Sequence, residues 1–432
     1  MDTSLIMYNL ALGLVGPALP VLWLGSHLAG RWGEVWPRLG LYRKLAGPPP
    51  GPRVWLQAVS VGEVGVALAL AQALWAQRPE INLALSCSTA KGLARATEVF
   101  AGRARLLPFP LEAPWAVAAA CNKVRPHVYA SLETELWPNL LAGLQRRGAE
   151  LLLLNGRISP RSFPRYQQVR PLVAGCLRRF RALSMISVTD AGRAVALGAP
   201  AERVRVDGNA KYAGLLERAQ ATDTAPAAAR LALHGAPLLV AGSVRSGEEE
   251  PVLTAFAQVL KQHPGAVLAA APRHVERAPR WLEACRRHGL LAQAWIGLSP
   301  AAPRRPETSV VVVDAMGVLL ALYGLGRAAF LGASLVAKGG QNPMEPAAWG
   351  VPLLFGPDMA DFADAAETLK EAGAALVVKS AEELAQAWGG LLSDPARAAQ
   401  RGQAGRQVLA GWSGAAAAGA QLILEALARR GV

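Results

Sequence analysis

The sequence has little charge and few aromatic side chains for its length. Of its 432 residues, 18% are charged and 6% are aromatic, whereas 52% are hydrophobic. An intrinsically disordered protein is excluded, because such chains lack the apolar residues needed to form a core. The length allows two or three ordinary domains, each with its own core.

Cysteine is scarce, and no two cysteines form a CxxC pair. The four residues, Cys87, Cys121, Cys176 and Cys285, each stand in an apolar context. This pattern predicts buried free thiols and argues against structural zinc and disulfides. It is also typical of proteins from a reducing compartment.

Several common catalytic and nucleotide-binding signatures are absent. The sequence has no Rossmann G-x-G-x-x-G, no Walker G-x-x-x-x-G-K, no HExxH and no nucleophile elbow. Dinucleotide oxidoreductases and P-loop enzymes depend on the first two motifs to bind phosphate, so both classes are disfavoured. Because no compact group of His, Asp and Glu occurs, we also predict that the protein uses no metal.

Positive charge is in excess. Lys and Arg number 45 against 31 Asp and Glu, which gives a formal net charge of +14. Such an excess indicates an anionic partner: a nucleic acid, an acidic membrane surface or a phosphorylated substrate. Arginine pairs precede Gly148 and the His288-Gly289 dipeptide, however, where they are typical of helix C-termini. With few aromatics and no recognition-helix signature, we expect membrane lipids as partners and no nucleic acid.

The N-terminal segment has no charge over residues 5–25. That length can span the apolar core of a bilayer. Basic residues and tryptophans follow it as far as Lys44, which predicts that the remainder of the chain is cytoplasmic. We therefore predict a membrane anchor over residues 1–30, kinked or shallow because of Pro17 and Pro20; a buried first helix of a soluble core is the alternative. If the segment is only an anchor, its removal should leave activity on detergent-dispersed substrate intact.

Short apolar strands alternate with helices in two series after a proline-rich spacer at residues 47–52. The first series is expected at residues 54–59, 83–87, 105–108, 128–132, 151–154 and 183–186. The second series is expected at residues 237–241, 267–271, 310–313, 328–331, 352–355 and 375–378. Continuous apolar strands alternating with helices indicate parallel sheets covered on both faces. The predicted fold class is therefore α/β, with two doubly wound, Rossmann-like domains.

The domain boundaries follow from where this alternation stops. We expect an N-terminal domain over residues 31–212 and a C-terminal domain over residues 236–394. Residues 213–235, rich in Ala, Thr, Asp and Pro, are interpreted as a linker with a helical piece, and residues 395–432 as a helical tail. Two such domains are expected to face a central cleft at the carboxyl ends of their strands.

Acidic residues follow two expected strands of the first half. Glu63 stands between two glycines in the stretch Val59-Ser60-Val61-Gly62-Glu63-Val64-Gly65, and Glu133 and Glu135 follow the strand at 128–132. A phosphate-binding turn would not carry an acid, because the carboxylate repels the anion. The alternative for Glu133 and Glu135 is a pair of acids that stabilise the positive end of a helix dipole.

The turns after the strands of the second half carry glycines and cations instead. They include Pro272-Arg273-His274, Asp314-Ala315-Met316-Gly317 and the segment KGGQNPMEP at residues 338–346. The N–H groups of that segment, with Lys338 and Arg273, are expected to bind an anion, and Glu345 to accept hydrogen bonds from sugar hydroxyls. A plain glycine turn is the alternative. Acids in one half and an anion site in the other indicate a two-domain nucleotide-sugar glycosyltransferase.

Over nearly its whole length the chain resembles a known family. The strings SVGE, ETELWPN, GNAK, PRH, DAMG and GGQNPMEPA followed by GVPLLFGP, in this order and spacing, are similar to those of the 3-deoxy-D-manno-octulosonate (Kdo) transferases of Gram-negative bacteria. The resemblance implies a GT-B fold and attachment to the cytoplasmic face of the inner membrane. It also implies transfer of Kdo from CMP-Kdo to a lipid A precursor, with inversion of the anomeric centre and without a metal.

The same resemblance assigns roles to residues of this sequence. It implies that Glu63 is the proton acceptor and that Glu133 and Lys211 support the transition state. It implies that the donor contacts are Pro272, Arg273, Met316, Gly317, Val318, Asn342, Pro343, Met344 and Glu345. An acid between two glycines then has a chemical purpose, because the acceptor hydroxyl must lose a proton as it attacks the sugar. The turn is expected to expose Glu63 and to let the acceptor come close.

Three positions depart from the family's pattern. Gln341 stands where the family usually has His, Val244-Arg245 replaces a Thr-His pair, and Gly156 replaces Ala in an NAR string. None is a matched catalytic residue, so these differences bear on donor contacts and not on the reaction. Two alternatives stay open: another GT-B enzyme with a different nucleotide sugar, and a non-catalytic membrane-anchored binding protein.

Overall fold

The chain folds into two compact units, one formed by Met1–Ala213 with Trp412–Val432 and the other by Gly214–Gly411. The computed structural model describes residues 3–15, 38–39, 42 and 47–432. The first unit is discontinuous in sequence, because the C-terminal segment returns to it.

Strands and helices alternate through the first unit from residue 53 onward. Its strands are β1 (Arg53–Ala58), β2 (Asn82–Cys87), β3 (Ala104–Pro108), β4 (Val128–Leu132), β5 (Glu150–Gly156), β6 (Ala182–Met185) and β7 (Val204–Val206). Its helices up to residue 213 are α1 (Thr3–Val15), α2 (Val61–Gln77), α3 (Ala90–Phe100), α4 (Pro114–Val124), α5 (Pro138–Arg146), α6 (Phe163–Gln168), α7 (Arg170–Leu177) and α8 (Val188–Ala196).

In the described part of the chain, these strands form one parallel sheet of seven strands, in the order β3-β2-β1-β4-β5-β6-β7. The central strands β1 and β4 are mostly apolar and almost entirely buried, as expected where helices cover both faces of a sheet. Helix α2 contributes Val66, Leu70 and Leu74 to the core on one face. Helix α5 contributes Leu140, Leu141 and Leu144 to the core on the other face.

The second unit repeats this alternation. Its strands are β8 (Leu238–Val244), β9 (Val267–Pro272), β10 (Ala292–Ala294), β11 (Val310–Val312), β12 (Ala328–Leu331), β13 (Leu353–Phe355) and β14 (Ala375–Val377). Its helices are α9 (Leu215–Ala221), α10 (Ala225–Leu231), α11 (Glu249–Gln262), α12 (Ala278–Arg287), α13 (Leu319–Leu325), α14 (Met344–Ala348), α15 (Ala363–Glu371), α16 (Ala381–Ser393) and most of α17 (Pro395–Ser413). The helix that follows, α18 (Ala415–Arg429), belongs to the first unit. The sheet, seven parallel strands among the described residues, has the order β10-β11-β9-β8-β12-β13-β14.

Both sheets share the arrangement typical of Rossmann-like folds. In the first sheet, the chain runs from β1 outward through β2 and β3 and then returns to β4, which lies on the opposite side of β1. In the second sheet, β8 has β9 on one side and β12, which the chain reaches later, on the other. The prediction of two doubly wound parallel sheets is therefore confirmed. The expectation that the two units face a central cleft stays a prediction.

The structure adds detail at the segments between and beyond the two sheets. Residues 213–235, expected as a linker with a helical piece, form the helices α9 and α10 at the start of the second unit. The expected helical tail divides, because most of α17 belongs to the second unit whereas α18 packs against α2 of the first. The three-residue strands β7 and β10 escaped sequence analysis, since so short an apolar run carries no clear period.

The predicted anchor coincides only partly with the described residues. Helix α1 covers Thr3–Val15, whereas residues 1–2 and 16–30 lie outside the described ranges. Within those ranges, no helix combines the length and the apolar character required to cross a membrane. All four cysteines are buried and free, which confirms the predicted thiols.

Candidate active site

The acids of the first unit lie where the strand order of its sheet reverses. β1 and β4 are neighbours in the sheet, but the chain leaves β1 toward β2 and β3 and then crosses back to β4. Open α/β sheets bind their ligands at the carboxyl ends of such strands. Glu63 lies in the first turn of α2, after β1, and Glu133 directly follows β4. The two predicted acids therefore share the position at which this fold forms sites.

The carboxylate of Glu63 is held by its own turn. Oε2 accepts a hydrogen bond from the Val59 backbone N–H at 2.6 Å, and Oε1 accepts one from the Ser60 hydroxyl at 3.2 Å. Burial, and then the nearby Glu133 and Glu135 carboxyls, raise the pKa of Glu63 to about 7. The residue is only 7% exposed. The expectation that the turn exposes Glu63 is wrong, because the carboxylate folds back onto the donors of the turn.

A neighbouring turn fixes the backbone that precedes Glu63. The Thr89 hydroxyl and the Thr89 backbone N–H, just after β2, donate to the Val59 carbonyl at 2.9 and 3.2 Å. A Cβ added at Gly92 would lie 3.1 Å from the same carbonyl oxygen, so the two backbones are in close contact. Thr89 and Gly92 give no signal of a site in the sequence, because together they also form an ordinary N-terminal cap of α3.

The loop after β4 has an unusual backbone at Glu133. Its φ is 54°, a left-handed conformation that costs a non-glycine residue about 1–3 kcal/mol and that collects at functional sites. The Glu133 backbone N–H donates to the Leu154 carbonyl at 3.0 Å, which ties the end of β4 to β5. Burial, together with the Glu133 carboxyl, raises the pKa of Glu135, although the Trp137 indole N–H donates to Glu135 Oε2 at 2.8 Å.

Lys211 lies on a short 3₁₀ turn, Ala210–Tyr212, that packs against α2. The turn is tied to the sheet, since its first backbone N–H donates to the Asn155 side-chain oxygen at 2.8 Å. Asn155 is at the end of β5 and has a positive φ of 55°. The structure therefore brings the turn that carries Lys211 against the helix that carries Glu63.

This arrangement suits proton removal near neutral pH. A general base works best when its pKa is close to the operating pH, and the pKa of Glu63 is raised to about 7. A lysine on an adjoining turn can stabilise negative charge that develops during a reaction. The first unit therefore has the groups expected of an acceptor-activating site.

The second unit has a cavity of about 480 Å³ at the carboxyl ends of β8, β9 and β11. Cavities of this size accommodate ligands as large as a nucleotide sugar. Six of the predicted donor contacts line it: Pro272, Arg273, Met316, Gly317, Asn342 and Glu345. The other three, Val318, Pro343 and Met344, are not among its lining residues. Pro343 and Met344 are buried at the start of α14, where they position Glu345.

Glu345 is the acidic group of this cavity. Burial raises the pKa of its carboxyl, while the hydrogen bond from Asn342 and the Arg218 and Arg273 guanidinium groups act in the opposite direction. The Asn342 amide donates to Glu345 Oε1 at 3.3 Å, and its oxygen accepts the Met344 backbone N–H at 3.1 Å. The cavity thus combines two cations for an anionic ligand with a carboxyl that can accept hydroxyl hydrogen bonds.

The two glycines before Gln341 are held by packing within the second unit. The Gly339 N–H donates to Asp358 Oδ2 at 2.8 Å, and the Gly340 N–H donates to the Ala333 carbonyl at 2.9 Å. Both glycines have positive φ, and a Cβ at Gly340 would lie 2.4 Å from the Met359 sulfur. These two N–H groups serve the protein's own packing and are not available to an anion, whereas Gln341, Asn342 and Arg273 line the cavity. The expectation that the segment helps to bind an anion stays a prediction.

Two lining residues escaped sequence analysis. Arg218 lies on α9, in the segment interpreted as a linker, so its composition gave no signal of a site. Tyr323 lies on α13 and is almost fully buried. A Cβ at Gly242, at the end of β8, would be 1.9 Å from the Tyr323 hydroxyl oxygen, so only glycine fits there. Tyr323 therefore explains the glycine at position 242.

Glu248 is a further residue that the sequence did not reveal. It follows β8 and is fully buried. Its Oε2 accepts the Arg245 and Ala333 backbone N–H groups at 2.9 and 2.6 Å, and its Oε1 accepts those of Ser334 and Leu335, both at 2.9 Å. The carboxylate therefore joins the loop after β8 to the loop after β12. In the sequence it begins the run Glu248-Glu249-Glu250, which reads as a solvated helix start.

Two departures from the family's pattern have visible structural partners. A Cβ at Gly156 would lie 2.5 Å from the Met185 sulfur, so glycine matches the large residue opposite it on β6. The Arg245 guanidinium lies 3.2 Å from His274 Nε2, beside the arginine of the PRH string. Gln341 lines the cavity.

Among the described residues, no group of three or more His, Cys, Asp and Glu side chains is arranged to hold a metal ion. The expectation that the reaction uses no metal stays a prediction.

Comparison with known proteins decides between the open alternatives. A family model described as 3-Deoxy-D-manno-octulosonic-acid transferase (kdotransferase) matches residues 33–214. The 3-deoxy-D-manno-octulosonic acid transferase of Bordetella pertussis is 30% identical over 441 residues, covering 98% of each chain. That of Haemophilus influenzae is 30% identical over 381 residues, covering 86% of each chain. The chain belongs to the Kdo transferase family.

As a Kdo transferase family member, the protein is a glycosyltransferase, and the prediction made from its motifs is confirmed. The fold agrees with this assignment. A solved glycosyltransferase from Rickettsia africae superposes with a TM-score of 0.55, covering 88% of this chain and 99% of that one. At 12% sequence identity, this likeness shows the shared fold alone.

Proposed function

We propose that the protein transfers Kdo from CMP-Kdo to a lipid A precursor, lipid IVA, in lipopolysaccharide core biosynthesis. The observation that carries this proposal is the carboxyl of Glu63, with a pKa raised to about 7, at the reversal point of a Rossmann-like sheet in a Kdo transferase. Family membership supplies the sugar, and the cationic cavity of the second unit fits an anionic nucleotide donor.

In the proposed reaction, Glu63 acts as general base. Its carboxylate takes the proton of an acceptor hydroxyl while the hydroxyl oxygen attacks the anomeric carbon of Kdo. The bond from that carbon to the CMP phosphate oxygen breaks, and CMP leaves with the bonding electron pair. Direct displacement from the opposite face inverts the anomeric centre. Glu133 and Lys211 support the charge that develops, and no metal is required.

The donor is proposed to lie in the cavity of the second unit. Arg273 and Arg218 offset the negative charges of the CMP phosphate and the Kdo carboxylate, because charge-assisted hydrogen bonds are the strong ones. Glu345, with Asn342 beside it, accepts hydrogen bonds from sugar or ribose hydroxyls.

We further propose attachment to the cytoplasmic side of the inner membrane through the N-terminal segment. The uncharged helix α1 leaves Ile6, Met7, Leu10 and Leu14 exposed, with Leu14 at 84%. An uncharged apolar helix face of this kind inserts into the headgroup region of a bilayer, and basic residues help to orient it. Sedimentation with anionic lipid vesicles, before and after a high-salt wash, tests this attachment.

The function is tested by incubating the protein with CMP-Kdo and tetraacylated lipid A precursor and weighing the products by mass spectrometry. We expect the mass of one or more Kdo residues to be added, with release of CMP. Transfer from a UDP-sugar in place of CMP-Kdo would overturn the donor assignment. A folded protein that binds both compounds without forming product would overturn catalysis.

A further inference from the structure

Helix α1 has a second face that contacts the first unit. Leu5, Tyr8, Asn9 and Leu12 are half-buried, and their spacing places them on one side of the helix. This side packs against α7. Because the opposite side is the exposed apolar face described above, α1 connects that face to the folded unit.

The contact includes a paired amide. The Asn9 side-chain N–H group donates to Asn139 Oδ1 at 2.9 Å, and the Asn139 side-chain N–H group donates to Asn9 Oδ1 at 2.8 Å. The remaining donors are used as well, since Asn9 also donates to the Leu5 carbonyl at 3.0 Å and Asn139 to the Glu112 carbonyl at 2.8 Å. Asn139 is 6% exposed. A pair in which one amide is buried, the other is half-buried and every side-chain donor is used fixes one geometry.

Asn139 belongs to the segment that carries the acids. It lies in the first turn of α5, six residues after Glu133 in the string ETELWPN. Its backbone N–H donates to a carboxylate oxygen of Glu112, which holds the start of the helix in place. Two residues earlier, the Trp137 ring packs on the Phe109 ring, with 4.8 Å between the ring centroids. The indole N–H of Trp137 donates to Glu135. Contacts thus run without interruption from α1 to the acids.

We propose that Asn9 is a positioning residue of the acid site, and that α1 through Asn139 holds the segment carrying Glu133 and Glu135 in place. The inference rests on the proposed function for the identity of that site. It revises the expectation that the N-terminal segment is only an anchor. Removing α1 should lower turnover even when the acceptor is dispersed in detergent and no membrane is needed.

The test compares Asn9→Ala with Asn122→Ala, both assayed on detergent-dispersed acceptor. Asn122 is an exposed asparagine of the same unit that pairs with Arg147 on the surface. We expect Asn9→Ala to lower kcat about tenfold, since small displacements of catalytic groups are costly, and to leave the KM for donor unchanged. Asn122→Ala should match the wild type. Asn9→Asp keeps an acceptor for the Asn139 N–H, so its kcat should lie between those of Asn9→Ala and the wild type.

A second readout separates positioning from simple loss of stability. Loosening the acid segment moves Glu133 and Glu135 away from Glu63 and lets water approach, so the pKa of Glu63 falls. The acidic limb of the kcat profile should therefore move to lower pH in Asn9→Ala. The double variant with Asn139→Ala should lose no more activity than the larger single loss, because the two amides act as a pair.

Wild-type kcat and an unmoved pH limb in folded Asn9→Ala would overturn the proposal. The proposal would also be overturned if the loss of kcat in the double variant equals the product of the two single losses, since the amides would then act separately. The inference can fail while the proposed function stands, and Glu63→Gln tells the two apart. If Glu63→Gln abolishes transfer but Asn9→Ala does not affect it, only the role of α1 is wrong.

Discussion

Each unit places a buried glutamate after the first strand of its sheet, and the two glutamates differ in what faces them. Glu63 follows β1 and accepts one backbone N–H and one hydroxyl, both from its own turn. Glu248 follows β8 and accepts four backbone N–H groups, three of them from the loop after β12. Across the same reversal point, Glu63 instead faces the carboxyl of Glu133.

The comparison shows how one topology gives a carboxylate two uses. Buried carboxylates are stabilised by backbone N–H donors and destabilised by burial and like charge. Glu248 has enough donors to serve as a structural link between loops. Glu63 has few donors and an acidic neighbour, so it can take a proton at neutral pH. The small number of hydrogen bonds donated to Glu63 is what leaves its carboxylate able to accept a proton.

The strongest test of this contrast is Glu63→Gln. The amide keeps the size of the side chain but cannot accept a proton, so turnover should fall by about 10²–10⁴-fold, the usual contribution of a positioned base. Donor affinity, measured by calorimetry with CMP, should change little. Thermal unfolding provides the control for folding. Near-normal turnover in a folded variant would transfer the base role to another acid, with Glu133 the first to examine.

The reciprocal test is Glu248→Ala in the second unit. It leaves four backbone donors without their partner, each worth about 1–3 kcal/mol when buried and unsatisfied. We expect the free energy of unfolding in urea to drop by at least about 3 kcal/mol. The matched control is Glu250→Ala, an exposed neighbour that pairs with Arg287 and His288 and should cost less than about 1 kcal/mol. Equal losses in both variants would contradict the linking role of Glu248.

A smaller effect is expected at the donor cavity. Arg273→Ala should raise the apparent donor constant about tenfold or more, because a charge-assisted hydrogen bond is worth about 1.5–3 kcal/mol. The KM for acceptor should stay the same in steady-state assays. Arg280→Ala, which removes an exposed arginine from α12, is the matched control. Unchanged donor affinity in Arg273→Ala would place the anion site elsewhere.

The smallest effect concerns the pH dependence of stability. Because the pKa of Glu63 is raised to about 7 in the folded state, its contribution to stability is full below its ordinary value and is lost as pH rises through 7. Between pH 5 and pH 8 the wild type should lose on the order of 1–2 kcal/mol relative to Glu63→Gln. Urea unfolding at both pH values measures the difference. If the free energy of unfolding changes equally with pH in the two proteins, Glu63 is already ionised at pH 5.

Sequence patterns predicted the parts of this structure that depend on local order. Apolar strands such as β1 and β4 predicted parallel sheets. The acids that follow these two strands were predicted to lie at the carboxyl ends of the sheet. Glycine at 242 and 156 is required by Tyr323 and Met185, which lie far along the chain, so the reason for glycine was not visible. The link from Glu248 to residues more than 80 positions away was not visible in the sequence either.

Contacts across long separations account for other features that the sequence did not show. The Asn9–Asn139 pair spans 130 positions, and an uncharged N-terminal run suggests an anchor whether or not it packs on the protein. The burial of Glu63 depends on how its side chain folds back, which a turn motif does not specify. Arg218 became a lining residue only because α9 packs near α13 and α14.

Helix α18 has a consequence for the way the protein is made. Its residues Ile423 and Leu427 are fully buried in the core that also contains Leu70 of α2, and Gly419 comes so close that a Cβ would lie 2.5 Å from a Leu70 methyl. A ribosome delivers the chain from its N-terminus, so the first unit lacks this helix until residues 412–432 have been synthesised. Meanwhile the second unit can already fold. The acids proposed to be catalytic therefore lie in the unit that completes its core last, and the nascent chain presents an uncovered apolar surface on α2 until then.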